Sequence, residues 1–371
     1  MKKYILSILL SGAFMFTACS DFLDEVPKGN ITSEGYYKTA QHAISATNAI
    51  YDYLIIGYAP NGLWDKNYGG TFYNDYWVLQ DMFADNSETN QTSIDYQSVE
   101  NMQIDQYNQP VELLWRDFYQ TIKCCNVVID KVPSIDMDVT LRNQLVAEAK
   151  FFRAMMYFDL IRMFGDVPLR EHNVESAEED ATSRTSKETI YELIFSDLKT
   201  AETDLKYTER FGGGRPYPAS ASALLARVYL TYAAEHHSQE HYQLAVDKAK
   251  SVIPNFPMLE NYGDLFKVAN RFNTEIIWGV NFSATLSEGW KGAQFLVRLL
   301  PALDGVSNAQ GWENATEDLW NSFDQQNLLI VMVALRISIS PMFLSIGIVK
   351  PNLKGIIQRL YFRQFVQQRC I

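Results

Sequence analysis

Cysteine is scarce in this chain, four among 371 residues, and two of them, Cys124 and Cys125, are adjacent. Neighbouring cysteines rarely pair with each other, so no disulfide framework is implied. Without a Cys-x-x-Cys spacing, no redox dithiol or zinc ribbon is implied either. Positive charge is short as well: 32 Lys and Arg stand against 44 Asp and Glu, a net −12. Nucleic-acid binding needs clustered cations, so that class is excluded. There is no Gly-x-Ser-x-Gly elbow. Gly212-Gly213-Gly214 is followed by Arg215-Pro216 instead of the Lys-Ser/Thr of a phosphate loop, and reads as a plain loop. His237 and His241 have the i,i+4 spacing of a metal pair, with His236 beside them. A third ligand is missing and the cluster falls at a turn, so no metal is expected. Asp81 and Asp85 could share a helix face like a glycosidase pair, but with 44 acids in the chain such a spacing arises by chance. No catalytic constellation remains, so neither an enzyme nor a cofactor is expected.

What the chain does have is helix. In residues 145–163 the apolar positions Leu145, Ala149, Phe152, Met156, Leu160 and Met163 step by three or four. A second row, Phe151, Ala154, Met155, Phe158 and Ile161, widens the stripe until the helix must be nearly enclosed. Glu148, Lys150, Arg153, Asp159 and Arg162 are confined to what is left. Gly165 and Pro168 end it, the first as a left-handed cap, the second for want of an N–H. Further helices are expected over 38–56, 110–131 and 186–205. Residues 219–253 read as a helical hairpin in which small residues (Ala223, Ala226, Ala245, Ala249) allow close approach, as in a tetratricopeptide unit. Thr274 to Phe282 (TEIIWGVNF) reads as a strand, residues 60–77 and 283–312 as loops, and residues 86–108 as a polar stretch.

The N-terminus carries Lys2-Lys3, an apolar run from Tyr4 to Phe16, and Thr17-Ala18 before Cys19. This is a secretory signal (1–18), too short to span a bilayer. A cysteine directly after the small residue resembles a lipobox, with Phe16 where the pattern prefers Leu. Lipidation at Cys19 is expected to anchor the chain to a membrane without a span, each buried methylene contributing about 0.8 kcal/mol. Residues 19–37 then serve as anchor and tether.

Several stretches together resemble the SusD/RagB family of outer-membrane lipoproteins. The helix AEAKFFRAMMYFDLIRMFGDVPL (147–169) is similar to that family's hallmark. Trp115, Tyr119, Ile122 and Asn126 match its W-x3-Y-x2-I-x3-N pattern, ALLARVYL (223–230) its alanine hairpin, and ATEDLWNSFD (315–324) the segment before its Asp-Pro-Arg. The resemblance implies a mainly α fold built on tetratricopeptide-like helix pairs, with irregular ligand-binding loops, over residues 38–324. It also implies no enzymatic activity, an outer-membrane location facing outward, and a glycan ligand passed to a TonB-dependent SusC-like transporter. A membrane-anchored glycoside hydrolase and a structural repeat adaptor without a small ligand are the alternatives. FYNDYWVLQDMFADN (72–86) resembles the family's ligand-contacting stretch. With sugar recognition resting on aromatic platforms and amides, the candidate contacts are Trp64, Asn74, Tyr76, Trp77, Asn90 and Tyr96, with Trp290 and Trp312 closing the opposite side.

The likeness stops near Asp324. Residues 325–371 contain no Asp or Glu and six Lys and Arg. The apolar stretch 328–349 is long enough for a membrane span, but Arg336 and Pro341 sit inside it, and a charge there costs about 3 kcal/mol. A buried strand pair is a second reading. The third and preferred one is translation out of frame, since a shifted reading of codons 327–333 permits a family-like Pro-x-Tyr-Arg-Asp-Gly run. The tail is then an atypical addition to an incomplete helical domain.

Overall fold

A computed structural model describes residues 36–58, 64–73, 75–174, 182–207, 214–282 and 312–321. The expected signal, the Cys19 anchor and the 325–371 tail lie outside the described residues. Backbone contacts divide the chain into units 1–38 and 39–371. Of the first unit only residues 36–38 are described, with the rings of Tyr36 and Tyr37 edge-to-face at 5.1 Å.

The second unit is a succession of helices: α1 (Ala40–Ile55), α2 (Asp75–Asp81), α3 (Ile94–Glu100), α4 (Gln109–Lys131), α5 (Val139–Phe164), α6 (Lys187–Asp204), α7 (Pro218–His236), α8 (Gln239–Val252) and α9 (Glu317–Asn321). The long ones pack in chain order: α1 on α4, α4 on α5, α5 on α6, α6 on α7 and α7 on α8. This is the mainly α stack of helix pairs that the family resemblance implies. Two of their starts are capped by side chains. Asp138 Oδ1 accepts from Leu141 N at 2.8 Å, and Asn108 Oδ1 from Val111 N at 3.2 Å with Pro110 just inside. Among the described residues no helix is long and apolar enough to cross a membrane.

The centre is α5. Phe152, Met156, Tyr157 and Leu160 have no exposed surface, and Phe151, Phe158 and Ile161 almost none. Its charged residues, confined to what the apolar rows leave, are not all at the surface. Glu148, Arg153 and Asp159 are buried, each with partners on another element. Arg153 forks onto Asp197 of α6 at 2.7 and 2.9 Å and also reaches Asn126 of α4 at 2.9 Å and the Glu171 carbonyl at 2.7 Å. Glu148 accepts from Arg215 at 2.7 and 3.0 Å, from Tyr207 at 3.1 Å and from Tyr51 of α1. The Arg215 guanidinium also lies 5.6 Å from the ring centres of both Tyr51 and Tyr207. Burial pushes the Glu148 carboxyl up, and Arg215 and the two phenols oppose the shift. Gly165 ends the helix at φ 71°, a conformation that L side chains rarely adopt.

Three two-stranded antiparallel ribbons complete the fold. β1 (Ile56–Tyr58) pairs with β2 (Trp64–Gly69), β4 (Val167–Pro168) with β5 (Arg184–Thr185), and β3 (Ser87–Thr89) with the distant β6 (Glu313–Ala315). The 60–77 region is thus more regular than the loop expected. Thr274–Phe282 is, conversely, not a strand. Ile276, Trp278 and Val280 are buried alternately with more open neighbours, but their polar partners are side chain and loop. Tyr217 Oη donates to the Ile277 carbonyl at 2.6 Å, and Trp278 Nε1 to the Gly214 carbonyl at 2.8 Å. The alternation reports one face lying on helices, without a ladder.

Candidate functional site

The expected ligand residues fall on a flank made of short elements. The turn after β2 is fixed to α1, with Thr71 N donating to the Tyr53 carbonyl at 3.2 Å and Phe72 N to that of Leu54 at 2.9 Å. That turn sets the start of α2, which carries Tyr76 and Trp77. β3 and α3 follow, and α3 presents Tyr96. Then, more than 200 residues later in sequence, β6 returns to pair with β3 in the register Ser87↔Ala315, Glu88↔Asn314, Thr89↔Glu313. Thr89 Oγ1 donates to the Trp312 carbonyl at 2.7 Å, and Thr316 N to the Asn86 carbonyl at 3.2 Å.

This pairing brings Trp312 against the earlier segment. Its ring centre lies 4.9 Å from Tyr96 and 6.3 Å from Trp77. Three of the predicted residues therefore form one aromatic cluster, with Asn90 exposed at its edge. The indoles are largely covered, Trp77 at 5 % exposure and Trp312 at 9 %. The half-buried Tyr96 and the amides around it are the accessible part. Gln97 Nε2 donates to the Gln91 carbonyl at 3.0 Å and holds the 90–93 turn onto α3.

Tyr76 goes elsewhere. Its hydroxyl donates to Asp159 of α5 at 3.1 Å and its ring packs on Phe72 at 4.8 Å. It lines an open recess of about 470 Å³ with Phe151, Phe158, Trp278, Asp159 and Arg227. Trp64 pairs its backbone with Tyr58, and its side chain is outside the described residues, as are Asn74 and Trp290. Asp81 closes α2 while Asp85 sits exposed in the following turn, so the two share no helix face. His237 leaves α7 at φ 52°. His241 lies in α8 with its ring 4.4 Å from that of Tyr232, so the helical spacing of the His pair is not realised.

Sequence reading missed Glu313. It follows Trp312, is 7 % exposed, and has its carboxyl pushed up to about 8, chiefly by burial and further by the charge of Asp81, against a hydrogen bond from Ser87. Its only signal in the sequence was adjacency to Trp312. Asp117 is likewise raised to about 8, by burial first, with Arg116 opposing and Asp75 adding.

The described residues thus form a stack of paired helices with an aromatic, acidic flank. The chain belongs to the SusD-like family: residues 21–230 match the family described as "Starch-binding associating with outer membrane". It is 26 % identical over 296 residues to SusD-like protein P25 of Formosa agariphila, covering 76 % of this chain and 53 % of that one. It is 28 % identical over 330 residues to SusD-like protein P2 of the same organism, covering 86 % and 61 %. Among solved structures, a laminarin-binding SusD-like protein superposes with a TM-score of 0.63 at 25 % identity, covering 77 % of this chain and 64 % of that one. The chain thus spans little more than half the length of these curated relatives.

Proposed function

We propose that this protein captures glycans at the outer face of the outer membrane, anchored through a lipid on Cys19, and hands oligosaccharide to a TonB-dependent SusC-like transporter. The observation that carries this reading is the Trp77, Tyr96 and Trp312 cluster, assembled by β3–β6 pairing and rimmed by amides. Aromatic rings stack on the apolar faces of sugars, and amides and carboxylates serve the hydroxyls. The family description and the laminarin-binding relative support it. In this scheme the helical stack offers the rigid surface for the transporter. Residues 325–371 are a tail outside the native fold.

Calorimetry of the purified chain against starch, laminarin and xyloglucan tests the reading. Saturable binding of at least one, without release of reducing ends, is expected. Hydrolysis would replace the reading by a glycosidase. Transporter binding without any glycan affinity would replace it by an adaptor. For the anchor, Cys19→Ala is expected to release the protein from washed membranes.

A further inference from the structure

Between Lys66 and Arg116 the chain has no Lys, Arg or His, yet it holds eight acids, Asp75, Asp81, Asp85, Glu88, Asp95, Glu100, Asp105 and Glu112. The returning segment 312–321 repeats the bias, with Glu313, Glu317 and Asp318 and no cation. These two stretches build the aromatic cluster. β3 carries Glu88 opposite Asn314, the Asp85 carbonyl accepts from Thr316 Oγ1 at 3.3 Å, and the Asp95 carbonyl accepts from Asn108 Nδ2 at 2.9 Å. The exposed Glu88, Asp105, Glu112, Glu317 and Asp318 enter no ion pair among the described residues. Among the described residues Arg116 pairs with Asp117 at 3.2 Å and Arg162 with Asp159 at 3.0 Å, the latter on the recess side. Segment 283–311, between the two halves of the sequence, carries Lys291 and Arg298 against Glu288 and Asp304, and so adds no net charge.

The surface is well supplied with groups for hydroxyls. Asn90, Asn101 and Gln103 are exposed, and Gln91 is half-buried. Tyr107, at 77 % exposure, and Ile94, at 74 %, add apolar area next to α3. Among the described residues of the stretches 67–112 and 312–321 no cation stands ready to hold an acidic sugar. Carboxylates and sulfates are recognised by Arg forks or Lys, and a like charge brought against these acids meets repulsion with nothing to offset its desolvation.

We infer that the ligand is a neutral glycan, and that polysaccharides bearing uronic acids or sulfate are rejected by this flank. The inference rests on the glycan-binding reading above and sharpens it to a substrate class.

The test uses the full chain and matched polymers that differ only in charge: fully methyl-esterified pectin and the same pectin after de-esterification, alongside starch, laminarin, xyloglucan and alginate. Affinity electrophoresis at low and high salt is expected to show retention only on neutral gels. Any hold on de-esterified pectin should be weaker by about tenfold or more at low salt, with the gap narrowing as salt screens the flank. The Glu88→Lys, Asp105→Lys double variant, altered at two exposed positions, should narrow the same gap. Binding of the acidic polymer as tight as the neutral one, or a double variant with an unchanged ratio, would overturn the inference while leaving glycan capture standing. Retention on none of the polymers would overturn glycan capture itself, and the substrate class with it.

Discussion

The central helices and the aromatic flank solve the same problem, holding charged and aromatic side chains together, in opposite ways. In the α4–α8 stack the buried Arg153 and Glu148 each meet an opposite charge on another helix or loop. Arg153 joins α5 to α4 and α6, and Glu148 joins it to α1 and to the 205–217 stretch. In the flank built from 67–112 and 312–321, acids gather without cations, and the aromatic contact depends on two three-residue strands from distant parts of the chain. The contrast teaches where stability and where selectivity reside. Opposite charges buried in pairs stitch a body, while unmatched charge at a rim defines what the rim will admit.

The largest effects are expected from breaking the body. Arg153→Ala leaves Asp197 buried without its fork and is expected to cost about 3–5 kcal/mol. Phe152→Ala, which opens a cavity at a side chain with no exposed surface, is expected to cost about the same. Urea unfolding measures both, and a parent-like midpoint for either would mean that α5 is not the centre of the fold. Next comes Gly165→Ala. No atom stands in the way of a methyl group there, so the cost is the positive φ alone, about 1–3 kcal/mol. A smaller loss would place the strain elsewhere.

The flank should respond in binding more than in stability. Tyr96→Ala is expected to weaken glycan affinity by about 1–2 kcal/mol, the scale of one aromatic stacking face. Unchanged affinity in calorimetry would move the site toward the recess beside Tyr76. A further test separates the regions by pH. Glu313 in the folded protein has its pKa raised from 4.5 to about 8, so the folded state holds the proton after the unfolded chain has released it. The stability this gives is whole below about 4.5 and is lost as pH rises to about 8. Glu313→Gln should flatten that part of the melting-temperature profile. An equally steep decline in the variant would assign the dependence to another carboxyl, Asp117 among them.

The long helices were legible in the sequence because length makes periodicity readable. The two apolar rows of α5 and the small-residue hairpin of α7 and α8 came out as expected. Charge pairing across elements was not legible. Glu148, Arg153 and Asp159 could be placed only on what the apolar rows leave of α5, since nothing in one helix's sequence announces Arg215, Asp197 or Tyr76 opposite. Short elements also escaped. α2, α3 and the ribbons are shorter than the windows that reveal a period, and the alternation in Thr274–Phe282 imitated a strand because a single helix-facing side produces the same pattern. For the site, the aromatic residues were recognisable by type, and the meeting of Trp77, Tyr96 and Trp312 was foreshadowed only by placing Trp312 across from the first group. Tyr76 was grouped with them through sequence adjacency, although one step along α2 turns it toward α5.

The most direct test of the account is amide hydrogen exchange of the full chain with and without a saturating neutral glucan that calorimetry shows to bind. The account predicts new protection in two distant stretches at once, 86–101 and 312–316, with α6, α7 and α8 unchanged. Protection confined to the α7–α8 hairpin, with both stretches exchanging as in the free protein, would contradict it.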